Sequence, residues 1–102
     1  SYHKGIDIAG VTDKTIKTVD NGKVTAAGTR SGYGKQVTVS HNNGMKTTYS
    51  HLATISVSKG DTVQKGDKIG VMGTTGKSTG IHLHFEVYKN GELENPMDYL
   101  KK

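Results

Sequence analysis

Ile81-His82-Leu83-His84-Phe85-Glu86-Val87 alternates apolar and polar residues without a break. Successive side chains on a β-strand point to opposite faces. The stretch therefore reads as a strand with Ile81, Leu83, Phe85 and Val87 toward a core, and His82, His84 and Glu86 together on the other side. Two imidazoles on one face of a rigid strand suit a metal ion. They also suit a division of labour in which one binds and the other moves protons.

The flanking sequence points to more short strands. His3–Ala9, Lys14–Asp20, Lys23–Gly28, Gln36–His41 and Met45–His51 are rich in β-branched and alternating residues. Asn21-Gly22, Asn42-Asn43-Gly44 and Asn90-Gly91 are turn signals between them. Val57-Ser58-Lys59-Gly60-Asp61 is nearly repeated as Val63-Gln64-Lys65-Gly66-Asp67, a pattern of tight Gly-Asp turns too short for a solenoid. Thr29–Gly34 and Gly73–Gly80 read as loops. Asn95-Pro96-Met97-Asp98-Tyr99-Leu100 reads as a terminal cap with one helical turn.

The 102 residues are expected to form one domain, with no internal linker. The apolar fraction of 31% and the 14 glycines favour a turn-rich all-β chain with a modest core. No apolar run approaches the ~20 residues of a membrane span. With no cysteine, a disulfide framework, a thiolate metal site and a Cys nucleophile are excluded, and any metal must be held by His, Asp or Glu. The net charge of +5 suits polyanions, with nucleic acid, an anionic cell wall and a membrane surface as candidates, and is equally the mark of a solvated surface with spare lysines. Nucleic acid is disfavoured, because aromatics are few and no nucleic-acid-binding motif is present. The opening Ser1-Tyr2-His3 carries no signal peptide and places a candidate site residue at the very start, so a domain excised from a longer chain is expected.

His3-Lys4-Gly5-Ile6-Asp7 offers further donors. The spacing puts His3 and Asp7 on one face of an extended chain. They are too far apart on a flat strand to share an ion unless Gly5 bends it. Two imidazoles and one carboxylate around Zn²⁺ would leave a fourth position open, the catalytic rather than the structural arrangement. Nitrogen and oxygen donors suit Zn²⁺, with Mn²⁺, Co²⁺ and Ni²⁺ as alternatives. His51, in Thr48-Tyr49-Ser50-His51-Leu52, stands at a strand end, where a lone histidine is more often a satisfied polar residue than a catalyst. His41 reads as a surface residue flanking a turn. Glu86 either orients the free ring nitrogen of His84 or is a surface carboxylate.

Taken together, His3-x-Gly5-x-Asp7, Tyr49-Ser50-His51-Leu52, the Gly-Asp-x-Val-x-x-Gly stretch from Gly60 to Gly66, and Ser78-Thr79-Gly80-Ile81-His82-Leu83-His84-Phe85-Glu86 resemble the lysostaphin-type zinc endopeptidases in motif and in order. Asn95-Pro96 with Tyr99-Leu100 is similar to the closing motif of that family. The resemblance covers nearly the whole chain. It implies a small, mainly antiparallel β-sheet domain with an open active-site groove, and hydrolysis of peptide bonds in bacterial peptidoglycan stems or cross-bridges. It further implies one Zn²⁺ held by His3, Asp7 and His84, with His51 and His82 as the catalytic pair. The expected protein is a monomer outside the cell, associated with the wall or envelope, whose partners are peptidoglycan peptides.

Two departures from the family pattern stand out. The family usually has a further strand before the His3 motif; this sequence starts after it, so one wall of the groove or a transition-state residue is expected to be missing from it. Lys35 follows Gly34 where the family commonly has Asn, in what reads as a groove-forming loop. A catalytically silent zinc-binding scaffold or activator of the envelope is the alternative function, although such relatives typically lose ligands and all five positions are present here. A lipoyl- or biotin-carrier reading of the Gly-Asp turns leaves those five residues unexplained.

Overall fold

The computed structural model describes residues 6–9, 14–73 and 82–95, with the backbone alone at 6–9 and 82–84. It is all-β, as the alternation requires. The strands are β1 (Ile6–Ala9), β2 (Thr15–Lys17), β3 (Gly22–Arg30), β4 (Gly34–Ser40), β5 (Met45–Ile55), β6 (Thr62–Val63), β7 (Lys68–Met72), β8 (His82–Lys89) and β9 (Glu92–Glu94). All pair antiparallel, with the path β1-β8-β5-β4-β3-β6 through the sheet. Beyond the stretch where β5 pairs with β8 it pairs with β7, and β7 carries β2. The helical turn expected at the C-terminus and most of the Gly73–Gly80 loop lie outside the described residues.

The hairpins follow from their turn residues. Asn43 and Gly44 both have positive φ, as do Asn90 and Gly91. That is the backbone of the two-residue hairpin turns that match strand twist. The near-repeat is one turn used twice. The amides of Ser58 and Gln64 donate to the carboxylates of Asp61 and Asp67, both at 2.9 Å. Gly60 and Gly66 supply the positive φ each turn needs.

Val37 and Val39 of β4, Tyr49 and Leu52 of β5, and Phe85 and Val87 of β8 are buried on one face of the central strands. Ile16, Val24, Val63, Ile69 and Met72 close over them from β2, β3, β6 and β7. Phe85 and Val87 thus face the core as the alternation predicts, while Ile81 and the side chain of Leu83 lie outside the description. Phe85 packs on Tyr49, with ring centroids 5.2 Å apart and planes tilted 45°.

The Tyr49 hydroxyl reaches through this core and is satisfied there. It accepts from the Val19 amide (3.2 Å) and from Thr47 Oγ1 (2.9 Å). Burial pushes the pKa of this phenol up. His41 joins the same chain of contacts, and the expectation that it sits on the surface is overturned. It is buried, with Nδ1 2.7 Å from the Asn21 carbonyl and Nε2 2.8 Å from Thr47 Oγ1. The cause is tertiary, since Asn21 reaches it from the start of β3.

Candidate functional site

The opposite face of β4, β5 and β8 is polar. Gln36, Thr38, Thr48, Ser50 and Glu86 are buried there, alternating with the core residues. Thr48 stands opposite both Thr38 and Glu86 in the ladders. Gln36, Thr38, Thr48 and Glu86 form the floor of an open pocket of about 190 Å³, with Arg30, Tyr33, Lys46 and Tyr88 at its rim.

One row runs across four strands. Gln36 Nε2 donates to Ser50 Oγ at 2.8 Å. Ser50 is directly opposite His84, and His84 is directly opposite Asp7. Directly opposed positions belong to the same face of a sheet. The register thus brings Asp7 and His84 together from distant parts of the sequence and sets them beside Ser50. His82 lies opposite Ala9, two positions along the same edge. His3 lies outside the described residues, as do the side chains of Asp7, His82 and His84. Among the described residues no three His, Asp or Glu side chains gather as a metal site.

His51 is placed by a β-bulge. Val37 is opposite Tyr49 and Lys35 is opposite Leu52, so β5 spends one extra residue at this point. The extra residue lets Tyr49 and Leu52 both face the core while Ser50 and His51 leave it. His51 carries the bulge with φ 62°. This left-handed backbone is uncommon outside glycine and costs about 1–3 kcal/mol where it is enforced. Two hydrogen bonds enforce it here. The His51 amide donates to the Tyr33 carbonyl (2.8 Å), and the Gly73 amide donates to the His51 carbonyl (3.1 Å). Gly73 has no room for a side chain, because a Cβ there would lie 2.6 Å from Ala53 Cα. His51 therefore stands at a bulge inside β5 rather than at its end.

Two further expectations change. Glu86 is no surface carboxylate. It is 2% exposed, and Oε1 accepts from Thr48 Oγ1 (3.2 Å) and from the Tyr88 hydroxyl (2.9 Å). Lys35 belongs to β4 rather than to a loop, and its Nζ donates to the Ala53 carbonyl at 3.0 Å. The Thr29–Gly34 loop shrinks to a three-residue turn, Ser31 to Tyr33, whose last carbonyl holds His51. Sequence reasoning missed Gln36, Ser50 and Tyr33 as supports of the site. The polar residues alternating with the valines of β4 were the available signal for Gln36.

Burial, together with the Glu86 carboxylate that accepts its hydrogen bond, pushes Tyr88 up to about 12. The neutral phenol is thereby favoured in the folded state. Its contribution to stability is complete below pH 10 and is lost as pH rises from about 10 to about 12, because the unfolded tyrosine ionises first. A phenolate absorbance titration is expected to show Tyr49 and Tyr88 ionising late, and Glu86→Gln is expected to bring down the Tyr88 component alone. An unchanged late titration in that variant would detach Glu86 from Tyr88.

An antiparallel sheet with a polar pocket and with Asp7 opposite His84 in the ladder fits a metallopeptidase-like domain. The comparisons agree: residues 1–96 match the model of Peptidase family M23, and the chain belongs to that family. It is 41% identical over 95 residues to the DD-carboxypeptidase/endopeptidase Mpg of Neisseria gonorrhoeae, covering 93% of this chain and 22% of that protein. It is 39% identical over 99 residues to the murein hydrolase activator NlpD of Escherichia coli, covering 96% and 26%. Its fold superposes on the catalytic domain of the antimicrobial peptidase lysostaphin from Staphylococcus simulans with a TM-score of 0.89 and 35% identity, covering 98% of this chain and 80% of that one. The lysostaphin-type resemblance read from the motifs is thus borne out. The chain spans about a quarter of the length of the curated relatives it matches.

Proposed function

We propose that this domain is a zinc-dependent endopeptidase that hydrolyses peptide bonds in bacterial peptidoglycan stems or cross-bridges, acting outside the cell at the wall or envelope. One observation carries the reading. The register sets Asp7 opposite His84, and the strained His51 follows the Ser50 that flanks His84 on its other side. Membership of a peptidase family and the similarity to lysostaphin and Mpg support it.

His3, Asp7 and His84 are assigned as the residues that hold one Zn²⁺. A His-Asp-His donor set without thiolate fits that ion, and two of its three positions are neighbours in the sheet. When bound, zinc supplies Lewis-acid polarisation of the scissile carbonyl and of the attacking water. His51 and His82 divide the remaining work. One takes the proton from that water and returns it to the leaving amine, and the other hydrogen-bonds the developing oxyanion. The bulge gives His51 a fixed backbone, so little reorganisation is needed in the transition state. The polar groove beside it offers hydroxyl, amide and cationic groups to an extended peptide.

A second reading has its own support. The similarity to NlpD, a murein hydrolase activator, favours a domain that acts on a partner hydrolase rather than on the bond. Elemental analysis and hydrolysis of purified peptidoglycan separate the two. One equivalent of zinc is expected, with cleavage that a chelator stops and added zinc restores. The same assay on His51→Gly is expected to lose at least about a hundredfold in turnover. That variant should keep its metal and melt within a few degrees of the parent, since glycine adopts the left-handed backbone without strain. Stoichiometric zinc without cleavage in the parent would favour the activator.

A further inference from the structure

A second surface has no part in the groove. Lys14, Lys17, Lys23, Lys59, Lys65 and Lys68 are all exposed. They lie on β2, β3, β7 and the adjoining turns, and none lines the polar pocket. The fold packs them together. Lys17 on β2 stands directly opposite Lys68 on β7. The amide of Thr18 donates to the Asp67 carbonyl (2.9 Å), and that of Gly66 donates to the Thr18 carbonyl (3.0 Å), so Lys65 and Lys68 flank the residue after Lys17 on both sides. The Lys65 amide donates to Asn21 Oδ1 (2.7 Å), close to Lys23 in sequence. The Gly60 amide donates to the Val24 carbonyl (2.8 Å), which sets Lys59 beside Lys23.

Neutralising charge is scarce. Among the described residues none of these six ammonium groups forms an ion pair. Among the described residues three aspartates share the region, and each spends a carboxylate oxygen on a backbone amide: Asp20 on Asn21, Asp61 on Ser58, Asp67 on Gln64. Like charges directly opposed across a ladder destabilise the pair. A lysine on an exposed edge strand such as β2 guards against strand-to-strand association. That accounts for Lys17, but not for a second lysine opposite it on β7, nor for those on the turns.

We propose that this face is a binding surface for a base-free phosphodiester polymer such as poly(glycerol phosphate), with Lys17, Lys65 and Lys68 at its centre. Ammonium groups act as point charges with three donors each, which suits phosphate oxygens. Their spread over several strands and turns matches an extended polymer rather than a single small anion. Nucleic acid is the weaker fit. Tyr33, Tyr49, Phe85 and Tyr88 lie in the groove or the core, which leaves no described aromatic on the patch to stack a base. The surface would hold the domain on an anionic envelope polymer and leave the groove free. The proposal goes beyond the hydrolytic reading and does not rest on it.

The test is binding without turnover. The chain and its K17Q/K65Q/K68Q variant are titrated with poly(glycerol phosphate) at about 50 and about 300 mM salt, spanning a large change in screening. The parent is expected to bind, with affinity that falls steeply as salt rises. The variant is expected to bind about a hundredfold more weakly, at about fivefold per lysine near an anionic surface. Its melting temperature should be equal or higher, because a like-charge pair is gone. K89Q, on β8 away from the patch, is expected to bind as the parent does. Equal binding by parent and triple variant overturns the proposal, as does absence of binding by the parent. Tighter binding of single-stranded DNA of matched charge overturns it in favour of nucleic acid.

Discussion

His84→Ala is expected to lose the bound zinc and to lower peptidoglycan hydrolysis by at least about three orders of magnitude. The expectation follows from where β8 runs. It lies between β1 and β5, so position 84 is opposite Asp7 on one side and Ser50 on the other. No neighbouring strand offers a substitute imidazole at that register position. The backbone ladders on both sides do not depend on the side chain, so the sheet should persist and the loss should be specific to the site. Asp7→Ala is expected to behave alike. His82→Ala, two positions along β8, is expected to keep one equivalent of zinc and lose turnover by about 10²- to 10⁴-fold. Metal content with circular dichroism of the same preparations is the measurement. A folded His84→Ala protein that still holds one equivalent of zinc would remove His84 from the ligand set.

Phe85→Ala is expected to cost about 3–5 kcal/mol, comparable to a large part of the total stability of a small domain. Phe85 is 1% exposed and packs on Tyr49, whose hydroxyl is held by Val19 and Thr47. Truncation opens a cavity against a ring that cannot follow without giving up those two hydrogen bonds. The melting temperature should fall by about 15 °C or more. Phe85→Leu, which restores most of the volume, should recover most of the loss. Thermal denaturation followed by circular dichroism decides this, and an alanine variant that melts within about 5 °C of the parent would show that the core collapses around the site. The same substitution tests how the core serves the groove. Phe85 lies between positions 84 and 86, so its burial pins the register that holds the candidate ligand and Glu86. Residual folded Phe85→Ala protein is therefore expected to bind zinc more weakly.

Much of this was legible in the chain. The alternation through Phe85-Glu86-Val87 identified β8 and its core face, because a period of two is a local property that needs no partner. Asn43-Gly44 and Asn90-Gly91 identified their turns, because positive φ at both positions is a demand few residue pairs meet. The order of four motifs was enough for the family, and the family model bears that out. His41 and Glu86 were the residues whose surroundings were misread. His41 read as a surface group, and Glu86 as either a surface carboxylate or the group that orients the ring of His84. Their partners, Asn21 for His41 and Thr48 for Glu86, arrive from other strands.

The sequence by itself determined a cysteine-free, all-β domain with histidines on the polar side of a strand, because composition and two-residue periodicity are written residue by residue. Only the tertiary structure decided which distant positions meet. Asp7 opposite His84, the bulge that turns His51 out of the core, and Lys17 opposite Lys68 are all matters of register. Register is set by how whole strands bury their apolar faces against one another, and a shift of one residue would exchange core and groove.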